Sequence, residues 1–518
     1  MTMTEWLIFF LVIQLIHFLG TWKLYVKAGR KAWEALVPVY NAVVLMKIIN
    51  RPWWWVILLF IPIVNQIMFP VLWVETIRSF GRNSRQDTIL AIVTLGLYIF
   101  YVNYVLDVKY IEDRSLKPRT DAGEWISSIL FAVVAATLVH TYFMQPYVIP
   151  TPSLEKTLLV GDFLFVSKFH YGAKTPMTTV SMPMVHDAIP FTGGKMSYLP
   201  KPQLPYFRLP GFENIERNDI VVFNWPADTL VVIDDPSKGV RHKPLDKRSN
   251  YVKRCVGIPG DSLEVRDGYV YINGNKNVLP DRAKLQFSYI AQTKGGLLNL
   301  NYLHDRYGIS SNSVHQLNNS GTYALYITDE EVAKLKNNPN ILSIERAKSQ
   351  KGEKDASVFP HSPNFNWNVD HFGPIYIPEA GKTVQLNLDV LPLYKRIIEE
   401  YEDNTLSVRG NQIMINGQQA NSYTFKQDYY WMMGDNRNNS QDARMWGYVP
   451  YDHVVGKPVF VWMSFDKDAK GLFNKVRWDR VFTTVGGSGK PVSYLRYFLI
   501  ALGGWFVFNY FRKKRKAA

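Results

Sequence analysis

The stretch WISSILFAVVAATLVHTYFMQPYVIPTPSLEKTL, residues 125–158, decides how this chain is organised. Its first twenty residues, Trp125 to Met144, contain no Asp, Glu, Lys or Arg. As a helix rising 1.5 Å per residue they extend about 30 Å, the thickness of a bilayer's hydrocarbon layer. Shortly after them, Pro150 and Pro152 stiffen the backbone in front of Ser153 and keep it out of a helix. The serine is therefore expected close to a membrane surface, in rigid, non-helical backbone.

Working outward, the other apolar residues are unevenly placed. Trp6–Trp22, Trp53–Val74, Thr88–Val108 and Leu495–Phe511 are further hydrophobic runs, whereas residues 155–490 have soluble composition. The 518-residue chain thus reads as several domains. A multi-span membrane region (1–110) and an anchor (120–145) precede one large extramembrane region, and a C-terminal transmembrane helix (493–511) follows it. The first residues, MTMTEWLIFF, lack a basic n-region and a cleavage site and read as an anchor rather than a removable signal.

Net charge is +15, and much of the excess flanks the apolar runs: Lys23, Lys27, Arg30, Lys31, Arg114, Lys117, Arg119 and RKKRK at 512–516. No ladder of basic and aromatic residues occurs in the soluble part, which argues against a nucleic-acid partner and for membrane lipid. With 23–51 and 109–124 in the cytoplasm, the run at 125–144 exits, 145–490 lies outside, and the last run returns the tail. Arg78, Arg82 and Arg85 disagree, since simple alternation puts them outside, and Pro62, Asn65 and Pro70 interrupt the second run. Cys255 is the only cysteine, so neither an internal disulfide nor a CxxC metal site is possible. The ten histidines form no HExxH spacing; no cofactor or metal is expected.

In the soluble region FLFVSKF (163–169), after a turn at Gly161-Asp162, DIVVFNW (219–225) and YVKRCVGI (251–258) have strand composition, and 174–211 reads as a long irregular segment. LEVRDGYVYING at 263–274 and LSVRGNQIMING at 406–417 share residues at matching offsets, each a hairpin with Asn-Gly at its second turn. The intervening residues, 275–425, read as an inserted β-rich accessory subdomain. It would divide a mostly β catalytic core into 146–274 and 426–485.

A serine hydroxyl needs a base to become a nucleophile. A Ser153-His170-Asp162 triad can be written down, but nothing in the spacing supports it specifically. Lys253 is the better candidate. Strand alternation puts Tyr251, Lys253 and Cys255 on one face and Val252, Arg254 and Val256 on the other, so one basic residue is expected inside and its neighbour paired outside. Burial penalises an ammonium and lowers its pKa toward neutrality. In YYWMMGDNRNNSQDARMWGYVP (429–450), Asp435, Arg437, Asp442 and Arg444 can pair to hold a polar turn rigid.

VIPTPSLEKTL, ERNDIVVF (216–223), YVKRCVGIPGD (251–261) and GDNRNNSQDAR (434–444) resemble, in order, the four signature boxes of bacterial type I signal peptidases. The resemblance runs from about 125 to 460. It implies a mostly β fold of several small antiparallel sheets holding a Ser-Lys dyad, anchored with its catalytic domain on the outer, periplasmic face of the cytoplasmic (inner) membrane. It implies cleavage of signal peptides from exported preproteins after small residues, and contact with the protein-export machinery. Position by position, Ser153 matches the nucleophile, Lys253 the general base and Ser440 the lysine-orienting serine. Thr151 matches a residue that builds the oxyanion hole with the Ser153 N–H. Arg254, Asp435, Asp442 and Arg444 match supporting ion pairs. Leu154, at a substrate-groove position, replaces the family's usual methionine, and Pro152 replaces a small residue. The rival reading is a catalytically silent membrane scaffold or export partner on the same fold, against which the occupied dyad positions speak.

Overall fold

The computed structural model describes residues 2–517 apart from 233, 234, 296 and 472. The chain forms two compact units: Met1–Phe143 with Lys174–Leu209 and Asp228–Ser249, and Met144–Ala173 with Pro210–Ala227 and Asn250–Ala518.

Among the described residues two helices, both in the first unit, are long and apolar enough to cross a membrane, Met3–Lys27 and Asp121–Phe143. Thr2 caps the first in a capping box with Glu5, and Lys27 occupies its last turn, each suiting the helix dipole. Most of their large apolar side chains, such as Phe9, Leu15, Trp125 and Phe131, face outward. The run at 53–74 breaks around Pro62, as expected, into Trp55–Leu58 and Val64–Ser79, whereas Asn65 and Pro70 lie inside the second helix. The run at 88–108 becomes Arg85–Val93 and Tyr98–Tyr104, bent by 119°. Gly96 makes that bend possible: its φ is +85°, and a Cβ there would stand 2.7 Å from the Trp73 ring.

Buried Glu75 takes Arg114 at 2.6 Å, Arg51 at 3.0 Å and Arg78 at 3.9 Å. Arg78 therefore shares one end of this unit with Arg51 and Arg114, and Arg82 turns back onto Asp87. Attached elsewhere, Trp6 Nε1 donates to Gln203 O and Gln66 Nε2 to Thr179 O. The segment expected to be irregular is a loose hairpin, with nested bridges Lys174–Arg208, Thr178–Gln203, Ser181–Tyr198 and Ala188–Met196.

The second unit is mostly β. Its main antiparallel sheet runs Met144–Val148, Asp162–Ser167, Val454–Ser464, Ile220–Asn224, Asn250–Gly257, Tyr429–Met433 and Val449–Pro450, with Thr483–Thr484 paired to Val454–Ser464. Both similar hairpins form, as Ser262–Arg266 with Tyr269–Ile272 and Leu406–Arg409 with Gln412–Ile415. Asp267-Gly268, Asn273-Gly274 and Asn416-Gly417 all take positive φ, as such tight turns require.

The stretch expected as one insertion divides in two. Residues 287–346 build a separate four-stranded sheet with its own core of Phe287, Leu303, Leu325 and Leu335. Val358, Phe372, Leu391 and Phe425 instead share a core with Val256, Trp431 and Tyr448. The later half thus packs on the main sheet through a shared core, its strands forming separate small sheets. The C-terminal segment is a helix, Leu495–Ala517, but its apolar part ends at Phe511 before five basic residues. It is not among the helices that meet the length and hydropathy of a span.

Candidate active site

Pro152–Leu154 forms a single 3₁₀ turn, entered through extended Thr151 (φ −125°, ψ 153°), so Pro152 occupies a first helical position that needs no N–H. The turn closes by Glu155 N–H to Pro152 O (3.0 Å) and Leu158 N–H to Leu154 O (2.8 Å). Leu154 is buried beside Ile149, Leu158, Leu164 and Val461. As placed, its side chain anchors the turn from beneath, where the resemblance implies a groove position. Ser153 itself is 6% exposed.

Lys253 sits in Asn250–Gly257, in the interior of the main sheet between Ile220–Asn224 and Tyr429–Met433. Its Nζ is 2.7 Å from Ser153 Oγ and 5.2 Å from the Tyr251 ring centre. Burial pulls the amine down from 10.5 to about 8, while the carboxylates of Asp442 and Asp435 pull it back up. The expectation that its neighbour faces outside is corrected: Arg254 is 2% exposed, as is Lys253. Both strand faces are covered, and Arg254 finds its partner inside.

That partner is Asp435, whose two oxygens accept from Arg254 Nε (2.8 Å) and Nη2 (2.6 Å) and, on one of them, from Thr157 Oγ1 (2.6 Å). Burial alone would raise the Asp435 carboxyl, but Arg254 holds it below the usual carboxylate range. Asp442 is held down in the same way by Arg444, which it binds through both oxygens (2.9 and 2.7 Å), and it accepts Gly434 N–H. Two carboxylates near the lysine are thus each neutralised by a guanidinium.

Ser440 Oγ is buried without a hydrogen-bond partner among the described residues and does not bond Lys253. It nonetheless lies close to Ser153: a Cβ on Gly434 would lie 2.3 Å from Ser440 Oγ and 2.6 Å from Ser153 O. The alternative triad does not assemble. His170 Nδ1 meets Ser167 Oγ, and Asp162 binds Ser464 and Arg480.

Three contributors escaped the sequence reading. Asn436, fully buried, donates its backbone N–H to Ser153 O (3.0 Å) and its Nδ2 to Pro152 O (3.2 Å). Thr157 links the nucleophile turn to Asp435. Gln286 pairs by backbone with Asp435 and Arg437. Asn436 lies within the quoted GDNRNNSQDAR motif, and Thr157 stands four residues after the serine, which were the available signals.

This arrangement has a family. Residues 122–338 and 380–463, more than half of the chain, match the family described as signal peptidase, peptidase S26. The chain belongs to it. It is accordingly a serine peptidase, a hydrolase. Relatives of this S26 member include signal peptidase I of Buchnera aphidicola subsp. Acyrthosiphon pisum, 25% identical over 74% of this chain and 90% of the relative. Signal peptidase I of Helicobacter pylori strain 26695 is 25% identical over 71% and 94%, and that of Haemophilus influenzae 23% identical over 72% and 79%. Residues 33–113 of the S26 member match a family of unknown function (DUF5684).

Proposed function

We propose that this protein is a signal peptidase I, cleaving N-terminal signal peptides from exported preproteins after small residues. The observation that carries the reading is the 2.7 Å contact between the buried Lys253 amine and Ser153 Oγ, in a site that lowers the amine toward neutrality. In the reaction, neutral Lys253 accepts the Ser153 proton as Oγ attacks the scissile carbonyl. Thr151 Oγ1 and the Ser153 N–H stabilise the oxyanion, each donor contributing about 3 kcal/mol in comparable sites. The lysinium then protonates the leaving amine, and the regenerated base deprotonates the water that hydrolyses the acyl-enzyme. Ser440 orients the amine once substrate has displaced the resting contact, and Arg254, Asp435, Asp442 and Arg444 keep the base in place.

The same reading places the protein in the bacterial cytoplasmic membrane as a multi-pass protein, with the catalytic core (146–274 and 426–485) on the periplasmic face. Residues 493–511 return the chain as a short span, and membrane lipid and the export machinery are its neighbours. A signal peptide's cleavage site emerges close to the outer surface, and Ser153, just beyond its own anchor, meets it there.

The test is processing of a preprotein by the full chain, wild type against Ser153→Ala and Lys253→Ala. Loss of cleavage in both supports the dyad. Cleavage retained by either removes it, and loss on His170→Ala would restore the triad.

A further inference from the structure

Ser153 sits on a turn whose next residues hold an unusual conformation. Lys156 has φ +71°, left-handed backbone that a residue with a Cβ rarely adopts. Such strain persists only where the surroundings over-determine it. Here the Lys156 side chain leaves the catalytic sheet. Its Nζ lies 2.6 Å from Glu331 Oε1 and donates to Gly308 O at 2.5 Å. Glu331 is 6% exposed, and its other oxygen is held by the Thr328 N–H (2.9 Å) and hydroxyl (3.1 Å), the capping box of helix Asp329–Leu335. Gly308 is the left-handed C-cap of helix Leu300–Tyr307. One ammonium thus meets the carbonyl end of one helix, where the helix dipole favours a cation, and pairs with a first-turn carboxylate of another, where the dipole favours the anion.

Both helices belong to the separate core of residues 287–346, through Leu303, Val332 and Leu335. The same subdomain grips the far side of the site, where Gln286 N–H donates to Asp435 O (3.0 Å) and Arg437 N–H to Gln286 O (2.9 Å). From this loop Asn436 N–H reaches Ser153 O.

We propose that the subdomain around residues 287–346 is a clamp that sets the position of the nucleophile turn, with Glu331 and Lys156 as positioning residues. This rests on Ser153 being the nucleophile. Both side chains are taken up by each other and by Gly308 and Thr328. The pair acts by fixing where the turn that carries Oγ stands relative to the Lys253 amine. Misplacement by about 1 Å costs on the order of 100-fold in rate.

The experiment is single-turnover preprotein cleavage by the full membrane protein, comparing wild type with Lys156→Met, Lys156→Arg, Lys156→Gly and Glu331→Gln. Lys348→Gln, which breaks an exposed pair with Asp267, is the control. Lys156→Met and Glu331→Gln are expected to lose 10-fold or more in kcat with KM within about twofold, and Lys156→Arg to recover most of the loss. Lys156→Gly separates strain from position: glycine adopts this φ freely, so a clamp predicts that it is as slow as Lys156→Met. Should Glu331→Gln not fold, the Lys156 series decides alone. Wild-type kcat in Lys156→Met, or full activity in Lys156→Gly, overturns the clamp. Full activity of Ser153→Ala would instead overturn the nucleophile assignment, a separate outcome.

Discussion

Replacing Lys253 with methionine separates what the lysine does for the reaction from what it costs the fold. Below about pH 8 the amine is charged in both folded and unfolded chains, so the fold bears the whole penalty of burying it. Lowering its pKa from 10.5 to about 8 corresponds to about 3 kcal/mol. As pH rises through 8 the folded state loses its proton first, and the penalty falls to about 1 kcal/mol by pH 9.5. Lys253→Met removes that penalty and loses one hydrogen bond to Ser153, about 1 kcal/mol. The variant is therefore expected to gain about 2 kcal/mol at pH 6.5 and almost nothing at pH 9.5. Its cleavage should be abolished at both. For the wild type the neutral fraction rises from about 3% at pH 6.5 to about 90% at pH 9, so single-turnover rates should climb about 30-fold and level off. Thermal unfolding of the full chain in detergent at the two pH values, beside a pH–rate profile on a preprotein, measures both. A flat rate between pH 6.5 and 9, or a variant destabilised equally at both pH values, would refute the reasoning.

Gly434→Ala puts a methyl group 2.3 Å from Ser440 Oγ and 2.6 Å from Ser153 O. The nucleophile turn must shift, so kcat should fall by on the order of 100-fold while the preprotein still binds. Asp435→Asn leaves the Arg254 guanidinium buried without its counter-charge, which should cost about 3–5 kcal/mol in an unfolding titration. Leu154→Ala empties a site in the core beneath the turn and should cost about 3 kcal/mol, again read by denaturation. His170→Ala, whose ring bonds Ser167, should leave cleavage within about twofold of wild type.

The parts of this fold that could be read from sequence are those governed by short-range chemistry. Asp-Gly and Asn-Gly dipeptides require positive φ, so both hairpins were legible. A twenty-residue stretch without charge announced the helix before Ser153. Strand alternation failed at Lys253-Arg254 because it assumes one solvated face. Between two partner strands, with packed side chains above and below, neither face is solvated. Pro62 announced the break at residues 61–63, but the bend at Leu95-Gly96 was hidden inside an apolar run, because hydropathy measures what lipid tolerates and says nothing of where a helix bends. Asn436 and Gln286 act through backbone bonds to residues far away in sequence, and no local pattern encodes such pairing. The division of 275–425 was hidden for the same reason: its later half is recognisable as part of the main core only when Phe372 and Phe425 are seen packed with Trp431 and Tyr448.

The site's electrostatics explain why the proposed base, Lys253, is accompanied by so many other charges. An amine moved into an apolar interior loses its proton readily, but an unscreened carboxylate nearby would restore it and silence the base. Two carboxylates are nonetheless close enough to raise Lys253, and the amine still stays near 8. The difference lies in their partners. Asp435 is held at both oxygens by Arg254, and Asp442 at both by Arg444, in pairs 3% exposed or less. Each carboxylate presents the lysine with a dipole rather than a net charge, and Arg444 itself pushes the amine downward. Buried ion pairs of this kind add little net stability, since desolvation offsets their attraction. Their effect is positional and electrostatic: they fasten the loop that carries Gly434, Asn436 and Ser440 without repaying the proton that burial has taken from Lys253. On the proposed mechanism Arg254 and Arg444 therefore help keep Lys253 basic at a useful pH, and removing either guanidinium should move the pH–rate midpoint upward even if the loop keeps its shape.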